Sequence, residues 1–228
     1  MGLAVLIGAF IQGTTGMGFA LIVAPVIGIL EPRLIPGCLL ILMLPLNAYI
    51  AWRERGAIDF NGTKWITAGR VAGTFGGLWV LIAIPLAYLN ALIGGTTILA
   101  ALVSLLVPAF SPGKKAFVST GFFTGITETA TGIGGPPLAL VYQHMPVATV
   151  RSSIALCFLI GEIISLTVLA FNGRIVMAHL TQALELIPVL AIGIFASHVI
   201  HQKINSRLLR SAVLVFAIVS GIFILLHG

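Results

Sequence analysis

Glu128 stands inside a long apolar run, followed by Thr129-Ala130-Thr131-Gly132-Ile133-Gly134-Gly135-Pro136-Pro137. A carboxylate, three glycines and two prolines are poor material for a plain membrane helix. A carboxylate at membrane depth is expensive and marks a functional site by default. Here its chemistry would be that of a proton carrier. The glycines Gly132, Gly134 and Gly135 let backbone N–H groups approach a ligand closely. Pro136 and Pro137 suit the first turn of a helix that begins there, where N–H groups have no internal partner. With the Thr131 hydroxyl, such a helix start forms an anion cradle that needs no buried lysine. A simpler copy, Gln12-Gly13-Thr14-Thr15-Gly16-Met17-Gly18, lies 116 residues earlier and supplies Gln12, Thr15, Gly16 and Gly18 to the same kind of cradle. Gln12 is the uncharged counterpart of Glu128. The opposing explanations are close helix packing for the glycines and simple capping for Glu128.

Other polar residues sit where a pathway would need them. Glu162 falls mid-span in the sixth apolar segment and is a second candidate for a proton path, or for pairing with a neighbouring helix. Asn47 follows Pro45 by two residues and breaks the second span as cavity-lining residues do. Arg33 and Arg151 precede the second and sixth spans and are candidates to draw anions into a vestibule, each on its own side. Interfacial anchoring is the bland alternative for both.

The elements that must position these residues follow from composition. The chain is 228 residues long, 59% hydrophobic and 8% charged, with mean hydropathy +1.15. Soluble domains average about 25% charged residues. Repeated long apolar segments indicate an all-α, multi-pass integral membrane protein, with the lipid bilayer as its surroundings. The alternating polarity of a β-barrel is absent. The net charge of +6 sits mostly in short loops, as the positive-inside rule expects. No basic stripe exceeds two neighbours, which argues against nucleic acid as a partner. Cys38 and Cys157 lie in apolar runs without CxxC spacing, and the five histidines show no metal-ligand pattern. No metal, cofactor or nucleophile–base pair is implied, so an enzyme is disfavoured. No Lys or Arg precedes Arg33, so Met1–Leu30 does not read as a cleaved leader.

The apolar runs fall into two sets of four. The first set is Met1–Leu30, Ile35–Ala51, Ile66–Ile84 and Leu86–Val107; the second is Ala116–Val147, Thr149–Phe171, Leu180–Ile200 and Leu208–Leu226. The halves, residues 1–110 and 111–228, match weakly but in order. Thr15-Gly16-x-Gly18 matches Thr131-Gly132-x-Gly134, Arg33 matches Arg151, and Gly56-Ala57-Ile58 matches Gly173-Arg174-Ile175. Several matches in register predict two homologous membrane repeats.

Two four-segment repeats and the phrase Gly132-Ile133-Gly134-Gly135-Pro136 resemble the sulfite exporter TauE/SafE family of membrane permeases. The first-half phrase Gln12-Gly13-Thr14-Thr15-Gly16-Met17-Gly18-Phe19 resembles it more loosely. The resemblance covers essentially the whole chain. It implies transport of small sulfur-containing anions or organosulfonates across the cytoplasmic membrane. Direction, coupling ion and a homodimeric state stay open, as does an anion channel of the same fold.

Loop charges discriminate two topologies. If all eight segments cross, one side receives Arg53, Arg55, Lys64, Arg70, Lys114, Lys115 and Arg174, and the other Arg33, Arg151, Lys203, Arg207 and Arg210, which is 7 against 5. If the first and fifth segments are re-entrant hairpins, only Arg33 and Arg174 remain on one side, which is 10 against 2. The second count follows the positive-inside rule. Arms of about 11 residues would reach about 16 Å, roughly to the midplane of the bilayer. Three full crossings per repeat would invert the second repeat and place both chain ends outside the cytoplasm. Eight plain crossings with tilted first and fifth helices are the alternative.

Overall fold

The computed structural model describes residues 1–85, 88–106, 112–143, 145–200 and 206–227. His144, His201 and Lys203 lie outside the described residues, as do the side chains of Pro136, Arg207, Arg210 and His227. Every regular element among the described residues is helical. Helices α4 (Phe60–Ala83), α8 (Val147–Phe171) and α9 (Met177–Ile200) are long and apolar enough to cross a membrane. Large apolar side chains such as Phe75, Trp79, Leu99, Phe123, Phe195 and Val215 face outward, as a lipid-solvated surface requires.

Neither overlong run is one continuous helix. The first divides into α1 (Gly2–Thr15) and α2 (Phe19–Leu30), and the fifth into α6 (Lys114–Thr131) and α7 (Gly135–Tyr142). Each break begins with a left-handed glycine, Gly16 at φ 86° and Gly132 at φ 79°. That conformation places a Cβ too close to the following carbonyl, so glycine is the residue that adopts it readily. The N–H of Gly16 returns to the Gln12 carbonyl at 2.8 Å, and that of Gly132 to the Glu128 carbonyl at 2.7 Å. Both turns reverse the chain. Gly8 of α1 faces Phe19 and Val23 of α2, and Phe117 of α6 lies 5.8 Å from Tyr142 of α7, ring to ring. The first hairpin has arms of 14 and 12 residues. The second is lopsided, with 18 and 8. The sequence-based expectation of 11-residue arms therefore holds only approximately for the first.

The remaining helices are α3 (Gly37–Arg53), α5 (Leu89–Leu106) and α10 (Ser206–His227). Helix α4 packs along α6 and α1 along α9; α3 crosses α8, and α5 crosses α10. Contacts of α4 with α8, α3 with α9, α5 with α7 and α2 with α10 complete the bundle. The α4–α6 seam is the tightest. A Cβ at Gly69 would overlap the Val118 carbonyl, one at Gly73 the Phe122 carbonyl and one at Gly121 the Ile66 carbonyl. Backbones therefore touch, in the small-residue mode typical of membrane helices. Packing does explain these glycines, while those at the two turns reverse the chain.

Arg70 is not a loop cation, as the charge count has it: it lies well inside α4 and is fully buried. Helix α4 begins earlier than the apolar pattern indicates, at Phe60, because Asp59 caps it by accepting from Gly62 N at 3.1 Å.

Candidate functional site

The seam between α4 and α6 decides where Glu128 points. Gly121, Gly125 and Glu128 recur at helical spacing on one face of α6, and that face lies on α4. Arg70 sits between Gly69 and Gly73 on the opposing face. The two charges therefore meet, and Arg70 Nη2 forms an ion pair with Glu128 Oε1. Both side chains are fully buried. Arg70 also donates from Nη1 to the Cys157 carbonyl at 3.2 Å. Gly161 of α8 makes the space for the guanidinium, since a Cβ there would overlap it. Gly134 has a similar role toward Glu128, whose Oε2 occupies the position a Cβ would take.

A second set of polar groups approaches from the first hairpin. Gln12 Nε2 donates to Asn47 Oδ1 at 3.0 Å, and Gln12 Oε1 accepts from Phe19 N at 3.1 Å. The amide thus links the end of α1 to α3 and also caps α2. Asn47 Nδ2 donates to Glu162 Oε1 at 2.6 Å. Glu162 interacts electrostatically with both Glu128 and Arg70, so this chain ends beside the ion pair. The turns lie next to each other: a Cβ added on Gly135 would lie 3.8 Å from Met17 Cβ and 3.8 Å from the Phe158 ring. The structure thereby brings Gln12, Asn47, Glu162 and Glu128 into one buried region where both hairpins end. It contains two carboxylates and one guanidinium. Glu128 Oε2 and Glu162 Oε2 have no hydrogen-bond partner among the described residues, although both are buried.

The other candidates have different placements. Thr15 Oγ1 donates to the Ile11 carbonyl at 2.9 Å and accepts from Met17 N at 3.3 Å. Thr131 Oγ1 donates to the Thr127 carbonyl at 2.7 Å and accepts from Ile133 N at 3.4 Å. Each hydroxyl braces its own turn. Gly16 and Gly18 shape the first turn, Gly132 and Gly134 the second, and Gly135 and Pro136 begin α7. Arg151 belongs to the first turns of α8, where it pairs with Glu54 at 2.8 Å and donates to the Thr14 carbonyl at 3.2 Å. Arg53 donates to the Gly13 carbonyl at 2.8 Å. These two cations meet the carbonyl end of α1, where a positive charge is favourable. Arg33 lies at the opposite end of α3, exposed, lining a cavity of about 200 Å³ with Arg174 and His179. Neither it nor Arg151 joins the buried region.

Arg70 is the buried charge of this region that the sequence reading left among the loop cations. Its signal was present: a lone arginine a few residues inside an apolar span, flanked by glycines at small-xxx-small spacing. A polar group on α4, α7 and α8 was missed as well. Cys157 Sγ lies 3.7 Å from Thr63 Oγ1, and a Cβ at Gly62 would be 2.7 Å from the Tyr142 hydroxyl. Asp59 N donates to Ser153 Oγ at 2.9 Å at the outer end of this group.

The described residues contain no group of three His, Cys, Asp or Glu side chains arranged to hold a metal ion. The model of the family described as sulfite exporter TauE/SafE matches residues 1–224. No curated protein and no solved structure matches the chain.

Proposed function

The chain belongs to the sulfite exporter TauE/SafE family of membrane transporters, and from that premise we propose that it carries a small sulfur-containing anion, sulfite or an organosulfonate, across the cytoplasmic membrane with protons as coupling ions. The site is the buried region where the two hairpins end. The observation that carries this reading is the pairing of Arg70 with Glu128 beside the Gln12–Asn47–Glu162 chain. A buried guanidinium offers planar, multidentate recognition of an oxyanion. Two carboxylates against one cation leave a charge that a single proton balances, and a balanced cluster avoids the several kcal/mol of an unpaired buried ion.

The same reading includes two inverted repeats with re-entrant first and fifth segments. Exchanging α1–α5 with α6–α10 maps α1–α9 packing onto α6–α4, α2–α10 onto α7–α5, and α3–α8 onto itself. The two threonine braces share two hydrogen bonds, one back to the carbonyl four residues earlier and one from the N–H two residues ahead. The cations support the hairpin topology. Arg151 pairs with Glu54, and Arg33 shares a cavity with Arg174. Eight plain crossings would place the members of each couple on opposite sides. With Arg70 withdrawn from the loops, the count becomes 9 against 2, still in favour of chain ends outside the cytoplasm.

The test is uptake into proteoliposomes containing the full chain, with sulfite, sulfonates, sulfate and carboxylates offered at two pH values. Saturable flux of sulfite or a sulfonate, faster with an imposed proton gradient, is expected. Absence of flux for every anion would overturn the reading.

A further inference from the structure

We infer that Arg70 is the anion-binding residue of this transporter and that Glu128 is its resident counter-ion, which yields the guanidinium to an incoming oxyanion by taking up one proton. The inference rests on the proposed function and adds to it the residue that binds and the step that couples.

The geometry around Arg70 suits an exchangeable pair. The guanidinium is held from behind: it lies on Gly161, and Nη1 is fixed on the Cys157 carbonyl. Its remaining donors are not consumed. Nη2 faces Glu128 Oε1, and Nε has no hydrogen-bond acceptor among the described residues although it is buried. Five N–H donors in a fixed fork match a tetrahedral or planar oxyanion better than one carboxylate oxygen does. The competing carboxylate belongs to the second hairpin itself. Glu128 is four residues before Gly132, and its free Oε2 lies against Gly134.

Charge then dictates the order of events. An oxyanion that reaches Arg70 must replace Glu128 there. A carboxylate left bare beside a second anion in a buried site is strongly unfavourable. One proton, drawn from water on the side to which the site is open, removes that conflict. The step breaks the Arg70–Glu128 ion pair, forms an Arg70–oxyanion pair and adds one O–H bond on Glu128. No covalent bond to the substrate forms, and release reverses each change. For a singly charged anion the net charge of the site is the same before and after.

The groups facing Glu128 leave it as the exchanging acid. From α4 comes Arg70, and from α8 come Glu162 and Cys157. Helix α7 contributes Tyr142, at the far end of the hairpin beside Phe117, and α5 carries no titratable side chain. Glu162 differs from Glu128 because Asn47 already donates to it at 2.6 Å and ties it to Gln12. It stays with the first hairpin while Glu128 changes partner.

Proton counting on the purified full chain tests the exchange. Methanesulfonate is the main probe, since it does not titrate near neutrality, and sulfite is run beside it. Binding is measured calorimetrically in buffers of different ionisation enthalpy between about pH 6 and pH 8. The wild type should take up one proton per methanesulfonate bound. Glu128→Gln should bind without proton uptake, with an affinity that no longer varies with pH. Arg70→Gln should lose at least about 30-fold in affinity, the scale for truncating a buried charged partner. The double variant Arg70→Gln/Glu128→Gln removes both members of the ion pair together and should elute as a monodisperse protein, yet bind no better than Arg70→Gln. A wild type that binds with no proton uptake overturns the exchange and leaves the transport reading standing. Unchanged proton uptake in Glu128→Gln, or wild-type affinity in the double variant, also overturns the exchange. A wild type that binds neither probe overturns the transport reading and the exchange with it.

Discussion

The first and second hairpins turn on the same left-handed glycine and threonine, and the side chain that separates their chemistry stands four residues before that glycine. In each, a left-handed glycine closes the helix, and a threonine just before it donates back four residues and accepts two residues ahead. Four residues before that glycine stands Gln12 in one and Glu128 in the other. An amide both donates and accepts. Gln12 therefore satisfies itself with two neutral partners, Asn47 and Phe19 N. A carboxylate only accepts and brings a charge, and at Glu128 the buried Arg70 guanidinium faces it. The supports differ too. Arg53 and Arg151 hold the carbonyl end of the first hairpin, whereas glycine-to-backbone packing on α4 holds the second. The comparison assigns the first turn to bracing and the second to charge.

Truncating the two side chains should separate these roles most strongly. Glu128→Ala leaves Arg70 buried without its counter-ion, which destabilises by about 3–5 kcal/mol. Gln12→Ala leaves Asn47 Oδ1 and Phe19 N without a partner, worth about 1–3 kcal/mol. Thermal unfolding of the purified chain should therefore show a clearly larger drop in Tm for Glu128→Ala. Equal drops would mean that the ion pair is not the main support of the second turn.

That contrast was only partly legible in the sequence. Clustered glycines inside an apolar run suggest a break, because each one sacrifices helix propensity there. Glu128, Glu162, Asn47 and Gln12 stood out for the same reason, as polar groups where water is absent. Their meeting was not legible, since it depends on which faces pack. Arg70 shows why. Near the start of its span it passed for an interfacial cation, and only the Gly69–Gly73 register against Gly121–Gly125 places it opposite Glu128. The threonines have a local role that the sequence reading did not include: a hydroxyl at a helix end readily bonds the local backbone, and both do so here. Arg33 and Arg151 are equivalent in sequence but have unlike surroundings, one exposed and one paired with Glu54.

Alanine at the two turning glycines should give a smaller but opposite contrast. Both substitutions place a Cβ in the left-handed region, at about 1–2 kcal/mol. A Cβ at Gly16 would also come within 2.8 Å of the Arg151 Cα, a backbone atom that cannot step aside. At Gly132 the obstacle is the Leu39 side chain, which can rotate. Gly16→Ala should therefore lower Tm more than Gly132→Ala. The reverse order would show that the second turn is the less adaptable of the two.

The smallest effect expected concerns the cations at the first turn. Arg53→Gln removes a charge from the carbonyl end of α1 and weakens the bond to the Gly13 carbonyl. Interactions of this kind are worth about 0.3–1 kcal/mol near a surface. Arg151 keeps its own bond to the Thr14 carbonyl, so the hairpin should remain formed. Hydrogen exchange should then quicken several-fold at residues 13–18 and stay unchanged at residues 132–135, which have no arginine on their carbonyl end among the described contacts. Equal quickening at both turns would mean that the hairpins, which lie side by side at Met17 and Gly135, move as one body. The bracing and the charged turn would then be mechanically coupled, and a proton arriving at Glu128 would be felt at Gln12.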